Sequence, residues 1–254
     1  MNPIRVGIVS ALHQEQAGLI DLMDAPQIHK AGMRDYVQGR LWGIDCVSVL
    51  SRVGKVAAAA TVATLIERFK ITHLVFTGVA GAISPQVKVG DIVVADSLVQ
   101  HDINAAPLFP PMEVPLLGQS HFASDKSTTD RLLAAAQAFA DQDFDQAVLP
   151  EDRRRLRLEH PVIHQGLVAS GDQFIHEREK AAALGQALPG LLAVEMEGAA
   201  VAQVCFEFGL PFAVVRTISD GANEDSAMDF VHFIERVASP YALHILKRFC
   251  MQAW

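Results

Sequence analysis

From Ala193 to Gly221 the chain reads AVEMEGAAVAQVCFEFGLPFAVVRTISDG. Residues 197–208 read as a helix and 211–220 as a buried strand. Two carboxylates, Glu195 and Glu197, alternate inside the apolar run before the helix. The strand ends in Arg216, Ser219 and Asp220. Charges at the ends of buried segments are costly unless they have partners or a task.

The same alternation extends outward. Residues 4–10, 36–42, 45–50, 73–78, 90–96 and 163–171 read as strands, with Gly43 at a turn. Residues 11–21, 54–69, 127–141 and 226–248 read as helices, the second closing on a cationic last turn at Arg68 and Lys70. Val79-Ala80-Gly81-Ala82 reads as a small-residue turn where a ligand can approach the backbone. Residues 105–117 hold four prolines and read as a loop. This is an α/β chain, a three-layer α/β/α sandwich with a mixed central sheet, in one domain over 1–254. In such sheets the ligand sits beyond the carboxyl ends of the strands, where Glu15, Val79 to Gly81, Phe174 and Asp220 fall.

Composition excludes several classes. The formal net charge of −8 disfavours non-specific nucleic-acid binding. Three scattered cysteines, Cys46, Cys205 and Cys250, suggest reduced thiols. No signal peptide is expected ahead of the first strand, and no apolar run reaches the ~18–20 residues of a membrane span. The expected setting is the cytoplasm. The ten histidines show no metal spacing, so neither metal nor cofactor is expected.

Several blocks, in order, carry a resemblance. They are Gly7 to Leu12 with Glu15; Val53 to Ala59; Thr77 to Gly81; Lys88 to Val94; His101-Asp102; Ser170 to Ile175; Val194 to Gly198; and Val215 to Asp220. Together they resemble the nucleoside phosphorylase/nucleosidase superfamily, and within it the 5′-methylthioadenosine/S-adenosylhomocysteine nucleosidases. The resemblance implies hydrolysis of a purine–ribose bond in a small-molecule nucleoside. That reaction builds positive charge on the sugar and negative charge on the base, so it wants an acid, a base for water and an anion near the ribose.

The resemblance makes Asp220 the acid at purine N7, which must hold a proton near neutral pH, with Ser219 orienting it. Glu15 positions the water, and Glu197 bonds the ribose hydroxyls and offsets the cation. Met196 packs under the sugar, Arg216 sits near the water and carboxylates, and Val79, Ala80 and Gly81 line the substrate. Phe174 stacks on the purine, the Ile175 backbone reads its edge, and Phe230 closes over it. Taken singly, these residues have plainer readings: Glu197 as a first-turn carboxylate, Asp220 as a turn residue, Glu15 as a solvated helix residue, and Phe174, Met196 and Phe230 as core. Glu195 is read as structural, and His101-Asp102 as a structural ion pair.

Some positions depart from the family. Val79 replaces a common serine or threonine whose hydroxyl helps phosphorylases bind phosphate. Arg52 stands where nucleosidases usually have glycine, either as a surface charge or reaching an anion such as phosphate or a homocysteine carboxylate. Residues 104–160 form a divergent insert with exposed-looking apolar residues. The resemblance implies a homodimer in which the neighbouring subunit contributes Val53 and Phe109 to an apolar 5′ pocket. Arg153 to Arg157 reads as a solvated basic face. The alternatives are a phosphate-dependent purine nucleoside phosphorylase, a futalosine-type hydrolase, and a silent nucleoside-binding protein.

Overall fold

The computed structural model describes residues 3–16, 18–222 and 230–254. Its strands are β1 (Arg5–Ser10), β2 (Asp24–Ala31), β3 (Arg34–Leu41), β4 (Ile44–Leu50), β5 (His73–Ala82), β6 (Ile92–Gln100), β7 (His121–Ala123), β8 (Ile163–Ser170), β9 (Leu191–Glu195) and β10 (Phe212–Asp220). Its helices are α1 (Lys55–Phe69), α2 (Lys126–Gln142), α3 (Phe144–Ala147), α4 (Pro150–Leu156), α5 (Arg178–Ala187), α6 (Gly198–Phe208), α7 (Phe230–Phe233) and α8 (Ser239–Met251).

The strands form one mixed sheet in the order β10-β6-β8-β9-β5-β1-β4-β3-β2, and β10 also pairs with β5. Strands β5, β10, β6, β8 and β9 therefore close into a ring, and β1, β4, β3 and β2 extend from it. Alternate side chains along each strand feed opposite faces. Val6, Ile8 and Val75 pack with α2 and α8 through Leu132, Phe139, Tyr241 and Phe249. Val9, Leu74 and Phe76 pack on the other face with α1 and α6 through Val62, Leu65, Val201 and Cys205. These two helix layers make the expected sandwich.

Several elements differ from the sequence reading. The segment expected as a helix over 11–21 forms two short 3₁₀ turns, His13–Gln16 and Ile20–Leu22. The expected turn at 79–82 is the end of β5, because Val79, Ala80 and Gly81 pair with Thr217, Ile218 and Asp220 of β10. The long C-terminal helix is broken by a π-helical turn at Ile234–Ala238, and its expected start over 226–229 lies outside the described residues. Strands β2, β7 and β9 and helix α5 were not anticipated. The 104–160 stretch runs as loop to about residue 120 and then supplies β7, α2, α3 and α4. Among the described residues no helix is long and apolar enough to cross a membrane, and no group of three or more His, Cys, Asp or Glu side chains is placed to hold a metal.

Candidate active site

The carboxyl ends of β1, β5, β9 and β10 surround a cavity of about 260 Å³. Glu15, Val79, Ala80, Gly81, Phe174, Ile175, Met196, Glu197, Ser219, Asp220 and Phe230 all line it. The structure thus gathers around one cavity residues as far apart in the chain as Glu15 and Phe230. Leu12, Gln173, Val194 and Glu195 line it as well and were not anticipated there. Val53, expected from a neighbouring subunit, lies on the rim of its own chain's cleft. Phe109 does not line this cavity.

Glu15 sits in the turn after β1 and is only 5% exposed. Its Oε2 accepts the Ala11 and Leu12 N–H groups, both at 2.8 Å, and its Oε1 accepts the Val79 N–H at 3.1 Å. Those bonds account for the tight turn found in place of a helix, since the side chain takes N–H groups at its start. Burial pushes the Glu15 carboxyl up, against the pull of the Leu12 N–H, Arg216 and the Val79 and Ala11 N–H groups. A raised carboxyl is a better base for water near neutral pH.

Glu197 stands immediately before α6 without capping it. Its carboxylate turns into the cleft, where Oε1 accepts the Gly54 N–H at 2.8 Å. Glu195 does the capping instead: its oxygens take the Gly198 N–H at 2.8 and 3.0 Å and the Glu197 N–H at 3.2 Å. Ser170 donates to Glu195 and accepts the Ala199 N–H. Glu195 also meets Arg216 at 2.6 Å, with both side chains almost wholly buried. The structural reading of Glu195 is therefore specific: it holds the α6 start and the guanidinium. The Glu197 carboxyl is pushed up to about 8, by burial first and by the adjacent Glu195 charge second.

Arg216 lies behind the cleft wall, 1% exposed, and does not line the cavity. Its guanidinium stacks 4.0 Å from the Phe76 ring centre. A Cβ on Gly78 would come within 3.0 Å of Glu15 Oε1 and 3.2 Å of Arg216 Nη1, which explains glycine there. One buried cation thus faces three carboxylates, those of Glu195, Glu15 and Glu197. Asp220 ends β10, 6% exposed. Its Oδ1 accepts the Ala222 N–H at 2.8 Å, and its Oδ2 accepts the Ser219 hydroxyl at 2.7 Å, so the carboxyl is held at both oxygens.

Two further contacts set the walls. Lys55 bonds Asp102 at 2.5 Å, and Asp102 also takes the Asp172 N–H. Burial would raise the Asp102 carboxyl, but these bonds hold it below its ordinary range. The ion pair expected at His101-Asp102 is therefore made with Lys55, and it ties the start of α1 to the loop that carries Phe174. A Cβ on Gly81 would meet Asp220 Oδ1 at 2.9 Å. Gly81→Ala should displace that carboxyl and lower turnover about 10- to 100-fold with little change in melting temperature. Unchanged steady-state kinetics would show that Asp220 needs no such placement.

Comparison with known proteins identifies the family. Residues 5–250 match the family described as the phosphorylase superfamily. A 5′-methylthioadenosine/S-adenosylhomocysteine nucleosidase of Maridesulfovibrio salexigens is 34% identical over 88% of this chain and 89% of its own length. The Geobacillus thermodenitrificans enzyme of the same name is 33% identical over 96% and 95%. The solved Neisseria meningitidis nucleosidase, in complex with methylthio-immucillin-A, superposes with a TM-score of 0.83 at 31% identity, covering 96% of this chain and 98% of that one. The chain belongs to the phosphorylase superfamily, among its 5′-methylthioadenosine/S-adenosylhomocysteine nucleosidases.

Proposed function

We propose that the cleft hydrolyses the N-glycosidic bond of 5′-methylthioadenosine and S-adenosylhomocysteine, releasing adenine and the thioribose. The observation that carries this reading is the convergence of Glu15, Glu197 and Asp220 on one small cavity. Asp220, held by Ser219 and the Ala222 N–H, protonates the purine at N7 as the bond lengthens. Phe174 and Ile175 bracket the base. Met196 lies under the ribose, and Glu197 faces its hydroxyls. A carboxyl raised to about 8 by burial and Glu195 is costly to hold as the anion in the empty site, and a cation growing on the ribose offsets that cost. Glu15, raised by burial, takes the proton of the attacking water.

Water rather than phosphate is the nucleophile in this reading. Val79 offers no hydroxyl to an oxyanion, and its N–H is already spent on Glu15. Burying a second anion beside Glu15 and Glu197 is also unfavourable. Purified protein should release adenine and methylthioribose from methylthioadenosine in phosphate-free buffer. Adenine appearing only with phosphate, together with a sugar 1-phosphate, would overturn the hydrolytic reading.

The proposal extends to a cytoplasmic homodimer serving methionine salvage. Val56, Leu108 and Leu116 are 81–92% exposed, large apolar side chains that a second copy would take out of water. Cys46, Cys205 and Cys250 are all buried free thiols, as suits a reducing compartment.

A further inference from the structure

A second cavity, of about 510 Å³, lies against the first. The two share Ala11, Leu12 and Val53 as a common wall. Three consecutive residues lead from one to the other. The Gly54 N–H holds Glu197, Val53 forms the rim, and Arg52 lines the second cavity. If Glu197 faces the ribose and Asp220 the purine, a substituent on the ribose 5′ carbon leaves over that rim.

The two cavities differ in charge. The first presents Glu15, Glu195, Glu197 and Asp220. The second presents His13, Arg34 and Arg52 against a single acid, Asp35. An anionic tail is repelled from the first and attracted to the second. Of the two arginines, Arg34 is committed to the fold, donating to the Gly32, Ser51 and Ala57 carbonyls. Among the described residues the Arg52 guanidinium makes one bond, Nη2 to the Met33 carbonyl at 2.7 Å, and the residue is exposed beside the cavity. Its backbone has φ +69°, a region that side-chain-bearing residues enter rarely. Asp35 is more than half exposed and only loosely paired with Lys30 at 3.8 Å, so it is free to meet an ammonium group.

We propose that this second cavity is a subsite for a zwitterionic α-amino-acid tail on the 5′ sulfur, with Arg52 taking the carboxylate and Asp35 the ammonium. This rests on the nucleosidase reading and makes Arg52 a specificity residue, selecting S-adenosylhomocysteine over substrates that lack the tail. A charge-assisted pair at a half-open site supports about tenfold discrimination.

The test compares wild type with Arg52→Gly, a change that also suits the left-handed backbone. kcat/KM is measured in phosphate-free buffer for methylthioadenosine, S-adenosylhomocysteine and its decarboxylated analogue, 5′-(3-aminopropyl)thioadenosine. The variant should keep its methylthioadenosine value within about twofold and lose about tenfold on S-adenosylhomocysteine. The aminopropyl analogue should be indifferent to the substitution. An unchanged ratio between the first two substrates, or an equal loss on both, overturns the subsite. If wild type cleaves none of them, the nucleosidase reading fails. Calorimetric affinities of the same three compounds for both proteins then decide the subsite by the same ratio.

Discussion

Asp220→Asn should lower kcat for methylthioadenosine about 100- to 10,000-fold, the range lost with a positioned general acid. The amide has nearly the volume of the carboxyl. Its oxygen can still accept the Ala222 N–H, and it remains beside the Ser219 hydroxyl. The fold and the proposed purine contacts at Phe174 and Ile175 are untouched, so KM should move little. What is lost is a transferable proton, because an amide N–H does not ionise in the accessible range. A leaving group that departs without protonation separates this from mispositioning. With 4-nitrophenyl 5-methylthioriboside the loss should shrink at least tenfold relative to the natural substrate. Equal losses on both substrates would mean that Asp220 only positions the base.

Glu197→Gln should lower turnover and raise stability at the same time. Folding lifts the Glu197 carboxyl from its ordinary 4.5 to about 8. Between those values the folded chain holds a proton that the unfolded chain has released, so wild-type stability falls as pH rises from about 4.5 to about 8 and then levels. Glu15, also raised, adds to the same slope. A glutamine carries no charge at any pH and can still accept the Gly54 N–H. The variant should therefore match wild type near pH 4.5 and exceed it by about 1–4 kcal/mol above pH 8. Urea titrations across that range measure the difference. A variant less stable than wild type at pH 8 would show that ionised Glu197 has a compensating partner. A site that is destabilising when empty and effective when filled is a common exchange of stability for activity.

The carboxylates were legible because motif blocks carried them, and the core strands because they are unbroken apolar runs. What was missed has physical causes. Strand β2, over Asp24–Ala31, is exposed along most of its length and lacks an apolar face to advertise it. Strand β9 is five residues long and ends in the charge of Glu195. The small residues after Gly78 resemble a turn, yet their size answers to the side chains crowding β5. At Gly78 these are Glu15 and Arg216, and at Gly81 Asp220. Arg216 read as a site residue because nothing in its own strand explains a charge. Its partner lies 21 positions earlier, and only the pairing of β9 with β5 and β5 with β10 brings the two together.

The ring of β5, β10, β6, β8 and β9 has one more consequence. An open sheet offers two long edges whose unpaired N–H and C=O groups can template another chain. Among the described residues closure leaves as free edges the three-residue β7 and β2. Strand β2 is blunted in three ways: Pro26 removes a donor, a bulge between Asp24 and Gln27 breaks the register, and Lys30 sets a charge on the rim. Edge-to-edge pairing between molecules therefore finds almost no purchase, and the molecule should stay dispersed at concentrations where an open sheet of similar hydrophobicity would form fibrils.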